Sequence, residues 1–250
     1  MSGHSKWHNI KIKKQKVDAK KGQAFTKITR EIMMAAKEGG EDPDSNLRLR
    51  LAIQKAREVN MPKDSITRAI AKGVGKDKSD SELEEIIYEG YAPNGVALLI
   101  QVVTDNKNRT VSMLRNVLSK HGGALGESGC VRWMFNQCGS LIYSRDKIDE
   151  EELFLASVEA GADDVKVEGD TVEVITATSN LQKVKDALEA LNYHPEQMQI
   201  TMMPKTVVPL ETKETAEKVL KLIEALEELE DVAYVYPNFD IPEEIMQKLN

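Results

Sequence analysis

Apolar residues recur every three to four positions through the first third of the chain and then switch to alternation, and that switch divides the sequence. From Gln23 to Glu38 the set Phe25, Ile28, Ile32, Ala35 and Ala36 keeps helical spacing, while Lys27, Arg30 and Lys37 fall on roughly the opposite side at about 100° per residue. The spacing predicts a helix with one dry and one basic face, ended by Gly39-Gly40. Asp42-Pro43 offers a capping acid and a proline for the first position of a second helix. Its stripe is Leu49, Ala52, Ile53 and Ala56, with Arg48, Arg50, Lys55 and Arg57 around it. Pro62 opens a third, short helix carrying Ile66, Ala69 and Ile70, which Gly73 and Gly75 close. These three amphipathic helices predict a small bundle. Met1 to Lys21 holds too few apolar residues for a core and reads as a basic arm, with Trp7, Ile10 and Ile12 available to dock it.

Past the polar stretch Gly75 to Ser81 the period becomes that of strands. Ile86 to Tyr91 and Val96 to Val103 flank Ala92-Pro93-Asn94-Gly95, whose Asn-Gly pair signals a hairpin. A helix capped by Thr104 or Asp105 runs to about Lys120, Gly122-Gly123 closes it, and Val131 to Phe135 reads as a further strand. From Gly139 a complete βαββαβ order follows: strand 141–144, helix 151–160, strands 165–168 and 171–177, helix 181–191, strand 197–203. The tail adds a helix at 213–229 and a strand at 232–236 that the earlier unit lacks. The expected fold class is therefore α+β multidomain: an N-terminal bundle at 1–78, a discontinuous α+β domain from 79–138 plus 205–250, and an inserted ferredoxin-like domain at 139–204.

A length of 250 residues suits two or three domains, and 41% hydrophobic content suffices for packed cores. The longest apolar run, Val96 to Ile100, falls far short of the ~18 residues a membrane span requires. With a polar, basic start in place of an apolar signal segment, no membrane partner and a cytoplasmic location are expected. Cys130 and Cys138 match no metal or redox spacing and are expected as reduced side chains.

Charge changes the picture most. Residues 1–78 carry 19 basic against 9 acidic side chains, a net +10, and the rest carries 15 against 32, a net −17. A basic module on an acidic body points to a polyanionic partner. The candidate nucleic-acid ligands are Lys6, Lys11, Lys13, Lys14, Lys16, Lys20 and Lys21 of the arm, Lys27 and Arg30 of the first helix, and Lys63 and Arg68 of the third. Trp7, between His4, Lys6 and His8, suits either stacking on a base or pinning the arm. In Thr104-Asp105-Asn106-Lys107-Asn108-Arg109-Thr110, Asp105 reads as a cap, whereas Arg109 is a candidate anion ligand. Gly122, Gly123, Gly126 and Gly129 lack the order of a phosphate loop and read as a flexible connection. The acidic helix of the tail, from Glu214 to Asp231, is either a solvated face or a surface that repels the polyanion.

No GxSxG or HExxH occurs and the four histidines are scattered, so no catalytic residue, metal, cofactor or small-molecule substrate is expected. A nuclease using carboxylates and a metal is the remote alternative, against which stands the lack of a compact carboxylate motif.

Several of these blocks together resemble the YebC/PmpR family: Gly3-His4-Ser5-Lys6-Trp7, Gly22 with Ala24-Phe25-Thr26-Lys27, Asn60-Met61-Pro62-Lys63, Tyr88-Glu89-Gly90-Tyr91-Ala92-Pro93-Asn94-Gly95-Val96, and Thr104 to Thr110. The likeness runs nearly the whole chain in order. Ala92 and Asn94 stand where glycine is frequent in the family's turn. The resemblance implies a helical N-terminal domain, two α+β domains and a role in gene expression. Bacterial members are described as DNA-binding transcriptional regulators and have been linked to the ribosome, and a mitochondrial relative is a translational activator. The expected partner is thus DNA, or alternatively RNA and the ribosome.

Overall fold

The computed structural model describes residues 21–75 and 83–249. The chain divides into two compact units, 1–134 with 206–250, and 135–205.

The first unit begins with helices α1 (Lys21–Gly39), α2 (Leu47–Glu58) and α3 (Lys63–Gly73). Their stripes meet in a core that includes Ile32, Ala36, Leu49, Ala52, Ala56 and Ile66. A Cβ on Gly73 would lie 2.4 Å from the Met33 carbonyl oxygen, so α1 and α3 approach closely because that side chain is absent. The second helix starts later than Asp42-Pro43 suggests. Asn46 caps it, its Oδ1 accepting the Leu49 N–H at 3.0 Å while its amide donates to the carbonyls of Ala35 (2.8 Å) and Gly40 (2.9 Å). One buried asparagine thus starts α2 and satisfies carbonyls at the end of α1, which an exposed Asp42 cap cannot do.

Strands β1 (Glu84–Tyr91) and β2 (Ala97–Thr104) form an antiparallel hairpin, and Asn94 (φ 65°) and Gly95 (φ 72°) supply the left-handed residues its turn needs. Helix α4 (Lys107–Lys120) follows, then β3 (Ala124–Leu125) beside β1. The expected strand at 131–135 is instead a turn of 3-10 helix over Arg132–Met134, after which the long strand β4 (Phe135–Ser144) begins. Phe135 therefore belongs to the second unit, four residues ahead of the expected boundary.

That unit continues with α5 (Glu150–Ala160), β5 (Asp164–Glu168), β6 (Thr171–Thr176), α6 (Leu181–Ala190) and β7 (Gln197–Pro204). Its antiparallel sheet has the order β5-β6-β4-β7, the ferredoxin-like arrangement expected of βαββαβ. A Cβ on Gly139 would meet Leu181 at 2.8 Å, which places Gly139, Leu141 and Tyr143 on the helix-covered face.

The first unit resumes with β8 (Val208–Pro209), α7 (Lys213–Glu227), β9 (Val232–Pro237), β10 (Phe239–Asp240) and α8 (Glu243–Leu249). β9 pairs with β2, completing a sheet of order β3-β1-β2-β9. Leu98, Ile100 and Val102 of β2 pack with Leu114 and Leu118 of α4 and with Val219 and Ile223 of α7. Tyr234 and Tyr236 of β9 pair with Gln101 and Leu99 on the other face, and there the bundle sits. The sheet of this unit is accordingly covered on both sides.

Candidate nucleic-acid interface

The basic side of α1, predicted to face a polyanion, lies along the sheet and tail. Lys27 donates to the Glu227 carbonyl, and Lys37 to that of Leu83 at 3.1 Å. Arg30 reaches Asp231 at 2.8 Å, Glu230 at 2.9 Å and the Val103 carbonyl at 3.2 Å. Asp231 is 3% exposed and also accepts from Thr110 (2.7 Å), Arg109 (3.2 Å) and Thr104 (3.3 Å). Burial opposes ionisation of this carboxyl, but the Thr110 hydroxyl and the two guanidinium groups outweigh it and hold the group below the usual aspartate range. Arg109, itself exposed, further pairs with Asp105 at 2.7 Å.

This node explains the Thr104 to Thr110 block physically. Thr104 and Thr110 form the buried half of the Asp231 site, their hydroxyls 2.9 Å apart. Asn106 rather than Thr104 or Asp105 caps α4, accepting the Arg109 N–H at 3.0 Å, and Thr104 takes the Asn106 N–H at 2.9 Å. The hydroxyl of Thr104 contacts Asp231 and Thr110 and Asp105 pairs with Arg109, and the cap falls to Asn106.

Two further contacts continue the seam between bundle and sheet. Lys55 pairs with Glu31 at 2.9 Å and donates to the Tyr234 hydroxyl, which donates to the second Glu31 oxygen at 2.8 Å. Burial favours a neutral amine, yet the Glu31 carboxylate at Lys55 reverses this, while burial and Glu31 keep Tyr234 protonated. Arg48 bridges Glu38 of α1 and Glu85 of β1. Five cations of the bundle, Lys27, Arg30, Lys37, Arg48 and Lys55, therefore hold groups of 83–104 or 227–236 or their immediate neighbours.

Arg57, Lys63 and Arg68 differ: all three are exposed around the α2–α3 turn, and none forms a carboxylate ion pair among the described residues. Glu58 and Asp64 are exposed in the same stretch. Asn60, with φ 58°, makes the turn, and Met61 donates to the Ala56 carbonyl at 2.8 Å, tying the α3 start to the α2 end. Lys63 and Arg68 are the predicted ligands left on an open surface, and Arg57 is a member the residue-by-residue reading did not single out. Its position in the last turn of α2, off the apolar stripe, was the available signal. Lys6, Trp7, Lys11, Lys13, Lys14, Lys16 and Lys20 lie outside the described residues, as does the side chain of Lys21.

The glycine-rich connection is not slack. Buried Glu89 of β1 accepts the backbone N–H groups of Gly129 (2.6 Å), Val131 (2.7 Å) and Arg132 (2.7 Å). Burial raises the carboxyl, but these three donors outweigh it and lower the pKa. Gly126 packs where a Cβ would lie 2.5 Å from the Cys130 sulfur. Cys130 and Cys138 are free thiols, and burial pushes Cys138 up to about 11. Among the described residues no cluster of His, Cys, Asp or Glu has the form of a metal site, and no helix is long and apolar enough to cross a membrane.

A helical bundle joined by ion pairs to an α+β body, with a ferredoxin-like unit inserted, defines a multidomain protein organised by charge. The model for the N-terminal domain of TACO1/YebC proteins matches residues 5–76, and that for their second and third domains matches residues 83–239. The chain belongs to the TACO1/YebC family. It is 50% identical over 251 residues, covering 100% of both chains, to a probable transcriptional regulatory protein of Dictyoglomus thermophilum. To one from a Geobacter species it is 53% identical over 249 residues, again with 100% of each covered. The crystal structure of a conserved hypothetical protein from Aquifex aeolicus is similar at 46% identity, with a TM-score of 0.83 over 93% of this chain and 95% of that one.

Proposed function

We propose that this chain is a non-enzymatic, nucleic-acid-binding regulator of gene expression whose N-terminal module contacts phosphate. One observation carries the reading: Lys27, Arg30, Lys37, Arg48 and Lys55 of the module hold groups of the body, whereas Arg57, Lys63 and Arg68 are open to solvent, with the lysine-rich arm preceding them in sequence. The regulatory names of the relatives support it, and DNA-directed transcriptional control is the first form it takes. The acidic body restricts the polyanion to the basic side by repulsion.

A second form, binding of RNA or the ribosome, is favoured by the kind of charge present. The arm's cations are all lysine, and the first arginine of the chain, Arg30, is engaged with Asp231. Lysine contacts phosphate as a point charge and carries little base discrimination. The test uses full-length protein in anisotropy titrations against duplex DNA and structured RNA over 50 to 200 mM salt. Changing Arg57, Lys63 and Arg68 together to Gln should lower the slope of log K against log salt by about 2 to 3 on duplex. Binding and slope unchanged in that variant and in one with the arm lysines neutralised would reject the assignment. Discrimination among duplexes below ~10³-fold, with salt-sensitive co-sedimentation with ribosomes, selects the second form over the first.

A further inference from the structure

The outward face of α5 is apolar where a surface helix is normally polar. Leu153, Ser157 and Ala160 face the sheet, yet Phe154 (48% exposed), Leu155 (57%) and Val158 (54%) point the other way. At 100° per residue these three span an arc of about 100° centred about 140° round from the buried side, the width of an ordinary contact stripe. Singly exposed apolar side chains need no explanation, but a contiguous helical stripe of large ones marks a contact surface.

Its electrostatics select the occupant. α5 carries Glu150, Glu151, Glu152 and Glu159 and no Lys or Arg. Arg145 pairs with Glu150, and the Tyr193 hydroxyl donates to Glu152 at 3.0 Å. Glu151 and Glu159, both exposed, have no cation partner among the described residues. They bracket the stripe, eight residues or about 12 Å apart along the axis, two turns of helix. We propose that α5 is a docking surface for a basic amphipathic helix of a partner protein, with large apolar anchors at i, i+3/i+4 seated on Phe154, Leu155 and Val158 and Lys or Arg about two turns apart meeting Glu151 and Glu159. A second copy of α5 would bring only like charges to these positions, and an anionic lipid surface is repelled for the same reason. The surface is distinct from the cationic turn of the N-terminal module, and the proposal stands independently of nucleic-acid binding.

The test titrates full-length protein into a fluorescein-labelled 18-residue peptide of leucine and lysine only, patterned as an amphipathic helix, and into its leucine–glutamate counterpart. The lysine peptide should bind, the glutamate peptide should not, and Phe154→Ser, Leu155→Ser and Val158→Ser combined should weaken binding at least about tenfold. Glu151→Gln with Glu159→Gln should weaken it about three- to tenfold and raise its tolerance of salt. This pair leaves the packing untouched and supplies the decision should the triple serine variant melt early. Equal binding by wild type and both variants places the peptide elsewhere and overturns the proposal, as does the absence of binding. Self-association in sedimentation, or adhesion to phosphatidylglycerol vesicles, lost in the triple variant would overturn it in favour of a second copy or a membrane.

Discussion

Replacing Asp231 by asparagine tests the reading of the seam most directly. The carboxylate is 3% exposed and accepts from Thr110, Arg30, Arg109 and Thr104, so the neutral amide removes the charge from a site built of donors. Breaking one side of a buried ion pair costs about 3 to 5 kcal/mol in full. Here the Arg30 side chain retains 17% exposure and asparagine keeps one accepting oxygen, which brings the expected loss to about 2 to 3 kcal/mol. In a chain of this size that lowers Tm by about 5 to 10 °C, readable by circular dichroism. A cycle with Arg30→Gln should return a coupling of about 1 kcal/mol or more, since each change removes the other's partner. The pH dependence has a fixed sign. Because the folded Asp231 titrates below its unfolded value, its contribution is complete above about pH 4 and is lost as pH falls from there through the lowered folded pKa. The stability gap between wild type and Asp231→Asn should therefore narrow as pH falls below about 4. A variant within 0.5 kcal/mol of wild type at pH 7, or a gap that stays constant with pH, refutes the node as a stabilising element.

The same reasoning fixes three smaller outcomes. Glu89→Ala leaves three loop N–H groups without their acceptor and should speed amide hydrogen exchange across 126–132 by at least about tenfold while amides of β2 stay protected. Asn46→Ala removes the α2 cap and two carbonyl contacts and should cost about 1 to 2 kcal/mol in urea denaturation, with Asn46→Asp recovering the cap but not the Ala35 and Gly40 contacts. Gly73→Ala must move backbone because the Met33 oxygen lies 2.4 Å from the new Cβ, so it should destabilise by about 2 kcal/mol or more although alanine favours helix, and a neutral result in thermal melts would show that α1 and α3 can separate freely.

Periodicity found nearly every long element because each one buries a face. The stripe Leu49, Ala52, Ile53 and Ala56 carries its partner's position in its spacing, the apolar run in 97–104 carries the burial of that strand on both faces, and both fold as helix and strand. The failures are local. Asp42-Pro43 has the right residue types for a helix start, but Asn46 satisfies more orphan groups from a buried site. Val131 to Phe135 has strand composition, but Glu89 binds the backbone of 129–132 as a curved loop, and an N–H given to a carboxylate cannot also join a ladder. Asn46 stands only three residues past Pro43, but its contact with the Ala35 carbonyl shows only in the fold, and Glu89 lies forty positions upstream of Gly129, outside any window of a few residues.

The same limit governs what charge can say about function. A helical wheel assigns Lys27 and Arg30 to the side away from the apolar stripe, and on an isolated bundle that side would be solvent. In the folded chain it meets Glu227, Glu230 and Asp231, two hundred residues later, so the excess of acid in the tail and of base at the start are partly two halves of one interface. Net charge by segment overstates the charge available to a ligand whenever the segments dock on each other. A consequence follows for dissection experiments: a fragment ending at residue 78 would take Lys27, Arg30 and Lys37 from their contacts with the body, leave Arg48 and Lys55 only Glu38 and Glu31, and bind polyanions more tightly than the whole protein does. The full chain with Arg57, Lys63 and Arg68 altered is the cleaner instrument, because those side chains have no carboxylate partner to lose among the described residues, and a fall in affinity there reports contact with phosphate rather than an opened seam.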